Sequence, residues 1–171
     1  MTFPTLSSAS RIFAVLCLLA SLSLTGCGYS LTNNQPSLFG SGSSTMRIRE
    51  VKNSTIYPWI NQVVRSCMYD EITDRNIAVM TASESSDYSM VIDIEKFTIN
   101  SRILGTKEET LEYTITLTFS ATVYDSKNEQ IWTSNSTSLS RSYPTSDARF
   151  AGTQITDLLV QAMVDKMRNT F

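Results

Sequence analysis

The most regular pattern along the chain is an alternation of apolar and hydroxyl side chains over residues 111–123. Apolar residues occupy every second position, and mainly Thr and Ser stand between them. Since successive side chains of a β-strand point to opposite faces, the pattern predicts a strand with one buried and one polar face. Residues 125–129 predict a turn, and residues 130–143 predict a returning strand with a similar Ser and Thr face. Such a hydroxyl surface indicates either ordinary solvent exposure or the wall of a partner contact.

Three shorter apolar segments predict further strands, at residues 46–51, 77–81 and 88–99. In the last of these, the apolar alternation shifts phase after Lys96. A phase change within one strand is typical of a β-bulge or a bend. The polar residues 100–109, which include a glycine, predict a loop.

A helical period replaces the alternation over residues 58–75. Pro58 is tolerated in the first turn of a helix, and residues 53–55 (Asn-Ser-Thr) break the preceding strand and can cap the predicted helix. The apolar stripe of this helix consists of Ile60, Val63, Val64, Cys67, Met68 and Ile72. A reactive thiol is one interpretation of Cys67, but its place on the stripe favours a small, buried and inert side chain.

Residues 147–171 predict a second helix, with Ser146 or Asp147 available as its N-terminal cap. Its predicted inner face consists of Ala151, Ile155, Leu158, Leu159, Ala162, Met163, Lys166 and Met167. The predicted order is therefore β-α-β-β-β-β-α, and tight turns between the later strands favour antiparallel pairing. We expect an α+β two-layer sandwich, in which a small, mainly antiparallel sheet of about four to five strands is backed by two helices.

The first residues have the organisation of a secretory signal. Arg11 precedes an uncharged apolar run at residues 12–24, which is shorter than the roughly 20 residues of a membrane-spanning helix. The run leads into Leu-Thr-Gly-Cys at residues 24–27, which is similar to the lipobox of bacterial lipoprotein signals. We expect cleavage between Gly26 and Cys27, and a diacylglyceryl group and an N-acyl chain on Cys27.

The residue after the lipobox cysteine is Gly28 rather than Asp, which in enteric bacteria resembles the signal for sorting to the outer membrane. Since two or more acyl chains anchor a protein stably, we expect membrane attachment through these chains. The next residues along the chain are rich in Ser, Asn and Gly, as in a flexible tether. We thus expect three segments: a signal peptide at 1–26, a lipidated N-terminus and tether at 27–45, and one folded domain at 46–171.

Composition narrows the classes of function. The chain has 14 basic and 16 acidic residues and a net charge of −2, and cleavage would remove Arg11 and bring this charge to −3. Nucleic-acid-binding proteins are normally basic, so we expect no nucleic-acid partner. The sequence contains no histidine, the commonest general base and zinc ligand, and no Ser/His/Asp set, Cys/His cluster or Gly-rich phosphate loop. We therefore expect no catalysis, metal or cofactor.

Four basic residues are candidates for contact with anionic groups such as phosphates. Lys96, Arg102 and Lys107 lie in or near the predicted loop, and Lys127 lies in the predicted turn at 125–129. The alternative is that these residues are scattered, solubilising surface charge.

Four features of the chain resemble the lipopolysaccharide-assembly lipoproteins of the LptE type. The first is the sequence CGYSL at residues 27–31. The second is the strand at 48–51, followed by N-x-T-x-x-P at 53–58 and the first helix. The third is Ser-Asp-Tyr at 86–88, where the family often has an Ala-Asp pair, and the fourth is the long hairpin with Ile-Trp at 131–132 before an amphipathic helix.

The resemblance implies a role without catalysis. Proteins of this family sit as a plug inside a large outer-membrane β-barrel translocon (LptD-like), help that barrel assemble, and help deliver lipopolysaccharide to the outer leaflet. It thus implies an outer-membrane protein whose domain lies on the periplasmic side or within the barrel lumen, with the barrel and lipopolysaccharide as partners. The family fold, a small sheet backed by two helices, agrees with the pattern above.

A second role fits a tethered α/β module as well. Some outer-membrane lipoproteins reach through the periplasm and activate a cell-wall synthase. Those proteins carry longer tethers than the one predicted here, because they must span the periplasm. The short tether favours the barrel-plug interpretation.

Overall fold

The computed structural model describes Phe39 and residues 43–104, 110–144 and 147–169, with backbone alone for 102–104, 110 and 111. The elements are β1 (Thr45–Asn53), α1 (Ile60–Asp74), β2 (Val79–Met80), β3 (Tyr88–Leu104), β4 (Thr110–Asp125), β5 (Gln130–Thr133), β6 (Thr137–Tyr143) and α2 (Ala148–Asn169). The predicted signal peptide and most of the predicted tether, with Gly26 and Cys27, lie outside the described residues. Neither α1 nor α2 is long and apolar enough to cross a membrane.

One mixed sheet contains the six strands, in the order β2-β1-β3-β4-β5, with β6 also paired to β4. β1 is parallel to β2 and β3, whereas the other pairs are antiparallel. The expected α+β class, with a mainly antiparallel sheet and two helices, is confirmed. The sheet has one strand more than expected because the predicted strand at 130–143 is divided into β5 and β6.

The division of this strand occurs at Ser134. The N–H of Ser134 donates to the carbonyl of Ala121 at 2.9 Å, but the N–H of Ala121 donates to the hydroxyl of Ser134 at 2.9 Å rather than to a backbone carbonyl. The next residue, Asn135, has a φ of 54°, a left-handed conformation that Asn tolerates better than most residues. The bend therefore combines a contact of Ser134 with the neighbouring strand and the left-handed backbone of Asn135.

Both helices pack on the apolar face of the sheet and form one core with it. β3 and β4 contribute Met90, Ile92, Ile94, Phe97, Ile115, Leu117, Phe119, Ala121 and Val123. The helices contribute Ile60, Val64, Met68 and Ile72 from α1, and Ala151, Ile155, Leu159, Val160, Met163, Val164 and Met167 from α2. All of these side chains are at most 3% exposed, and complete burial of each large aliphatic one stabilises the fold by about 1.5–3 kcal/mol.

The bulge expected in β3 is confirmed, because its register with β4 shifts between Ile94 and Lys96. This shift returns Phe97 to the core side. The loop expected at 100–109 is wrong in its first half, since β3 continues to Leu104 and pairs there with the start of β4. The strand predicted at 77–81 is shorter than expected, with only Val79 and Met80 in β2.

The inner face of α2 differs from the prediction. Gly152 and Thr156 are buried, whereas Ala162 and Lys166 are exposed. The Nζ atom of Lys166 donates to the hydroxyl of Thr137 on β6 at 3.3 Å. α2 packs against α1 as well as against β4 and β6, and these contacts rotate its buried arc toward Gly152 and Thr156 and away from Ala162 and Lys166.

α1 and α2 lie side by side and point in the same direction. Two contacts join them, Trp59 with Arg149 and Arg75 with Asp165, and midway between these the carboxylate of Asp157 is close enough to Cys67 to raise the pKa of its thiol. The members of each pair are 90 residues apart. A constant separation of this kind requires that the helices run parallel.

Asn53, the first residue of the N-x-T-x-x-P motif, organises the connection from β1 to α1. Its Oδ1 atom accepts the N–H of Thr55 at 2.8 Å, and its Nδ2 atom donates to the carbonyl of Tyr57 at 3.1 Å. The same amide group donates to the side chain of Asn61 in α1. The N-cap position itself is Trp59 and has no side-chain hydrogen bond, so the motif fixes the entry to the helix without capping it.

Two aspartates hold the beginnings of other elements. Asp87, just before β3, accepts both the N–H and the hydroxyl of Thr45 at 2.8 Å, and these hydrogen bonds lower the pKa of Asp87. Asp147 accepts the N–H groups of Arg149 and Phe150 at 2.9 and 3.0 Å. The predicted cap of α2 is therefore confirmed, with Asp147 as the capping residue.

Cys67 packs against the core but is half-buried rather than fully buried. Burial, followed by the nearby Asp157 and Asp70, raises the pKa of the thiol from 9.0 to about 11. The thiol is therefore protonated at neutral pH and reacts slowly. Because the folded-state pKa is raised, the contribution of the protonated thiol to stability is complete below pH 9 and is lost as the pH rises through about 11.

We expect Cys67→Asp to lower the free energy of unfolding by about 2 kcal/mol, because it places a carboxylate beside two acidic side chains on an otherwise apolar stripe. Cys67→Ser, which has similar size and adds no charge, is the control and should lower it by less than half as much. Urea unfolding at pH 7 measures both effects. Equal stability of the two variants, or rapid labelling of the native thiol at pH 7, would contradict this interpretation.

Candidate partner-binding surface

The centre of the sheet face opposite the helices is polar and neutral. The alternation along β4 directs its threonines away from the core, and antiparallel pairing sets serines of β6 directly opposite them. We term these six residues the hydroxyl face: Thr114, Thr116, Thr118, Ser138, Ser140 and Ser142.

The hydroxyl groups of this face bond to one another in pairs across the two strands. Their oxygen–oxygen distances are 2.8 Å for Thr114 with Ser142, 2.9 Å for Thr116 with Ser140, and 2.8 Å for Thr118 with Ser138. The threonines are half-buried and the serines are exposed. Cross-strand pairs of this kind stabilise a sheet, and each hydroxyl keeps a second lone pair for an external donor. The face can therefore bind a partner through hydrogen bonds that do not depend on pH.

β3 extends this surface on the other side of β4. Its outward residues Lys96, Thr98 and Asn100 stand in register with Thr118, Thr116 and Thr114. The hydroxyl face and these β3 residues thus form three rows of three side chains, in which Lys96 alone carries a charge. The register of these strands is regular along the three rows, from Lys96 with Thr118 to Asn100 with Thr114.

Beyond these rows, β3 and β4 continue as a two-stranded ladder. β6 ends opposite Tyr113, and β1 ends opposite Ile94. The pairs from Arg102 with Glu112 onward therefore have no additional strand on either side within the described part of the chain. The ladder projects from one end of the sheet, next to the hydroxyl face.

Lys96 and Lys127, the two basic candidates whose side chains the structure describes, lie far apart. Lys96 is exposed at the corner of the hydroxyl face, and Arg102 lies about 20 Å further along β3. Lys127 lies in the turn between β4 and β5, about 24 Å from the row of Lys96 in the opposite direction. Lys107 and the side chain of Arg102 lie outside what the structure describes. Each residue remains a separate prediction as a lipopolysaccharide contact.

The arginines of β1 were not among the site residues predicted from the sequence. The guanidinium carbon of Arg49 lies 4.8 Å from the ring centre of Tyr124, and its Nη1 atom donates to Asn128 at 2.8 Å. Arg49 thereby links β1 to the turn after β4 across the intervening strand. The signal in the sequence was Arg-Ile-Arg at residues 47–49, an alternation common to many exposed strands. Within the described ranges, no group of His, Cys, Asp or Glu side chains is arranged to hold a metal ion.

A protein-family model described as "LptE: Lipopolysaccharide-assembly" matches residues 43–170, which include all the described secondary structure. No curated protein sequence matches the chain significantly.

Solved structures with a similar fold include one bacterial lipoprotein. The PelC dodecamer from Paraburkholderia phytofirmans is 14% identical, with a TM-score of 0.53 over 78% of this chain and 93% of that chain. Protein XCC0632 from Xanthomonas campestris is 13% identical, with a TM-score of 0.52 over 71% and 82%. Lipoprotein GNA1162 from Neisseria meningitidis is 13% identical, with a TM-score of 0.50 over 74% and 99%. At such identities, the similarity shows the fold alone.

Proposed function

Because this chain belongs to the LptE family of lipopolysaccharide-assembly proteins, we propose that it is an outer-membrane lipoprotein that plugs a β-barrel lipopolysaccharide translocon. In this role it assists assembly of the LptD-like barrel and helps deliver lipopolysaccharide to the outer leaflet. Acyl chains on Cys27 hold it at the membrane, residues 27–45 form the tether, and the domain from 46 onward is the plug. The family match over nearly the whole domain is the observation that carries this proposal.

The hydroxyl face supports a contact with the inner wall of a barrel. Side chains that face the lumen of outer-membrane barrels are polar, whereas apolar side chains face the lipid. A plug surface therefore needs hydrogen-bonding groups, yet every charge it buries is costly to desolvate. Paired neutral hydroxyls meet both requirements. We propose that the hydroxyl face, with the projecting β3–β4 ladder, lies against the barrel wall as part of an obligate interface of more than about 2,000 Å².

Ser140→Lys is expected to weaken the complex with the barrel at least about tenfold, because it places an unpaired charge in the centre of the proposed contact. Ser140 is exposed, so the substitution is compatible with folding. Recovery of the barrel with tagged protein from detergent-solubilised outer membranes, identified by mass spectrometry, measures the effect. Depletion of the protein should also lower the level of functional barrel and make cells permeable to hydrophobic antibiotics.

Gln154→Lys is the matched control, since it adds the same charge at an exposed position of α2, away from the hydroxyl face. It should retain more barrel than Ser140→Lys. Equal recovery with both variants would contradict the assigned face but not the function. If the wild-type chain recovers no barrel and depletion leaves surface lipopolysaccharide unchanged, the proposed function is wrong. Co-purification of a peptidoglycan synthase would instead support the activator role.

A further inference from the structure

A cleft lies at the edge of the sheet, where β2 separates from β1. Among the described residues, β2 pairs with β1 only at Thr45 and Met46, and the chain then turns away after Thr81. The separation leaves a cleft of about 460 Å³, which we term the arginine cleft. Its lining includes Arg47, Ile48, Arg65, Tyr69, Met80 and Thr81.

The cleft is positively charged. Three arginines contribute to its described lining, and none of the lining residues is acidic. The guanidinium of Arg49 is engaged with Tyr124 and Asn128, so Arg47 and Arg65 remain to bind a ligand. Arg65 reaches across from α1 and donates from Nη1 to the carbonyl of Ile48 at 2.9 Å. This bond uses one of the five N–H donors of Arg65 and fixes its guanidinium at the cleft.

Arg47 also lines the arginine cleft, and its guanidinium is not fully hydrogen-bonded. Its Nε atom is buried and has no hydrogen-bond partner in the described structure. Its ion-pair partner Glu84 is distant, with 4.0 Å between Nη1 and Oε1, and the Glu84 side chain is 95% exposed against 25% for Arg47. Such an exposed, hydrated carboxylate compensates a half-buried arginine weakly. The charge of Arg47 is therefore only weakly compensated at the cleft, and its guanidinium can pair with an anionic ligand there.

We propose that the arginine cleft binds a phosphate monoester, with Arg47 and Arg65 as the anion ligands. Planar guanidinium groups bind phosphate oxygens through paired, charge-assisted hydrogen bonds. The volume of the cleft lies within the range of about 300–1,000 Å³ that is typical of small-molecule sites, so it accommodates more than the phosphate group alone. Ile48, Tyr69 and Met80 supply an apolar wall for the carbon part of the ester. This site is independent of the barrel contact proposed above.

A lipid headgroup and a soluble sugar phosphate share this chemistry. The test titrates the full mature chain, in a non-ionic detergent, with glucose 1-phosphate and separately with short-chain phosphatidic acid, by calorimetry. Saturable binding of at least one ester is expected. Tighter binding of phosphatidic acid would identify a lipid headgroup as the source, and tighter binding of glucose 1-phosphate would identify a soluble ester.

Arg47→Gln and Arg65→Gln should each weaken binding about tenfold, since each removes a charge-assisted contact. Arg141→Gln removes an exposed arginine from β6 and should leave the affinity within about twofold, because exposed charges at a distance are screened. Glu84→Gln should tighten binding, because it removes the carboxylate that competes for Arg47. If Arg47 and Arg65 only stabilised the fold, Glu84→Gln would not increase the affinity for the ester.

Ala82→Glu is a second variant in case Arg65→Gln impairs folding. Ala82 lines the cleft and is exposed, so this substitution adds a carboxylate without removing an arginine contact. It should abolish binding while the thermal unfolding midpoint is retained. Absence of saturable binding of either ester to the wild-type chain would overturn the proposal, as would equal effects of Arg47→Gln and Arg141→Gln.

Discussion

A Cys27→Ala variant is expected to disappear from the outer-membrane fraction. Without the thiol, no diacylglyceryl group can be attached, and the lipoprotein-specific cleavage before residue 27 does not occur. Each buried CH₂ of an acyl chain contributes about 0.8 kcal/mol to membrane binding, so loss of all chains removes the lipid anchor. Membrane fractionation measures the loss from the outer membrane, and mass spectrometry of the N-terminal peptide measures the loss of acylation and cleavage.

The chain provides a matched control for this experiment in Cys17, which lies within the apolar run of the signal. Cys17→Ala should be acylated and sorted like the wild type, because only the cysteine of the lipobox receives the lipid. The anchor prediction fails if the wild-type protein carries no acyl mass, or if Cys27→Ala remains in the outer membrane as firmly as Cys17→Ala.

Gly152→Val is expected to lower the free energy of unfolding by about 3 kcal/mol or more. A Cβ atom at this position of α2 would lie 2.6 Å from Cη2 of Trp59 and 3.0 Å from Cζ of Phe97, well inside van der Waals contact. The Trp59 and Phe97 rings pack edge to face with centroids 5.4 Å apart, and Arg149 lies over the indole. The indole is therefore held on more than one side, and a close-packed core yields to an inserted side chain only at a high energetic cost.

A double-mutant cycle separates this steric effect from the low helix propensity of valine. In a Trp59→Leu background the clashing ring is absent, so Gly152→Val should destabilise by at least about 1 kcal/mol less than in the wild type. Gln154→Val, at an exposed position of the same helix, reports propensity alone and should cost less than about 1 kcal/mol. Urea unfolding provides all the values. Additive effects of Trp59→Leu and Gly152→Val would contradict the packing argument.

The fold class could be predicted because β4 and α1 carry complete local patterns. Every second residue of β4 from Ile115 to Val123 is buried, as the alternation requires. The bulge after Ile94 could be predicted as well, because the alternation of apolar residues changes phase at that point. Asp147 was predictable as a cap because its hydrogen bonds reach only two and three residues ahead.

The remaining details depend on tertiary contacts that no local pattern contains. Lys166 occupies a helical position that fits the apolar stripe, but contact of α2 with both α1 and the sheet rotates the buried arc away from it. Residues 100–104 form strand because they pair with β4, although their composition is that of a loop. The break at Ser134 depends on a hydrogen bond to Ala121 on the neighbouring strand.

The candidate sites also combine features that a local sequence pattern predicts with features that depend on tertiary contacts. The alternation of β4 predicted a hydroxyl surface, but the register that sets each threonine opposite a serine depends on the bend before β6. The arginine cleft brings Arg47 and Arg65 together from a strand and a helix, beside a second strand of only two residues. Neither arginine is distinctive in the sequence, so only the folded arrangement indicates a binding site.

The 90-residue separation between facing positions of α1 and α2 also has a consequence for the timing of folding. Ribosomes add about 5–20 residues per second, so α1 emerges several seconds before the helix that lies beside it. Contacts between distant parts of a chain form late, because the intervening loop must first be closed. During that interval the two-helix layer cannot assemble, and the nascent protein stays open. Such a delay would suit the predicted export signal, since it gives the secretion machinery time to engage the chain before it becomes compact.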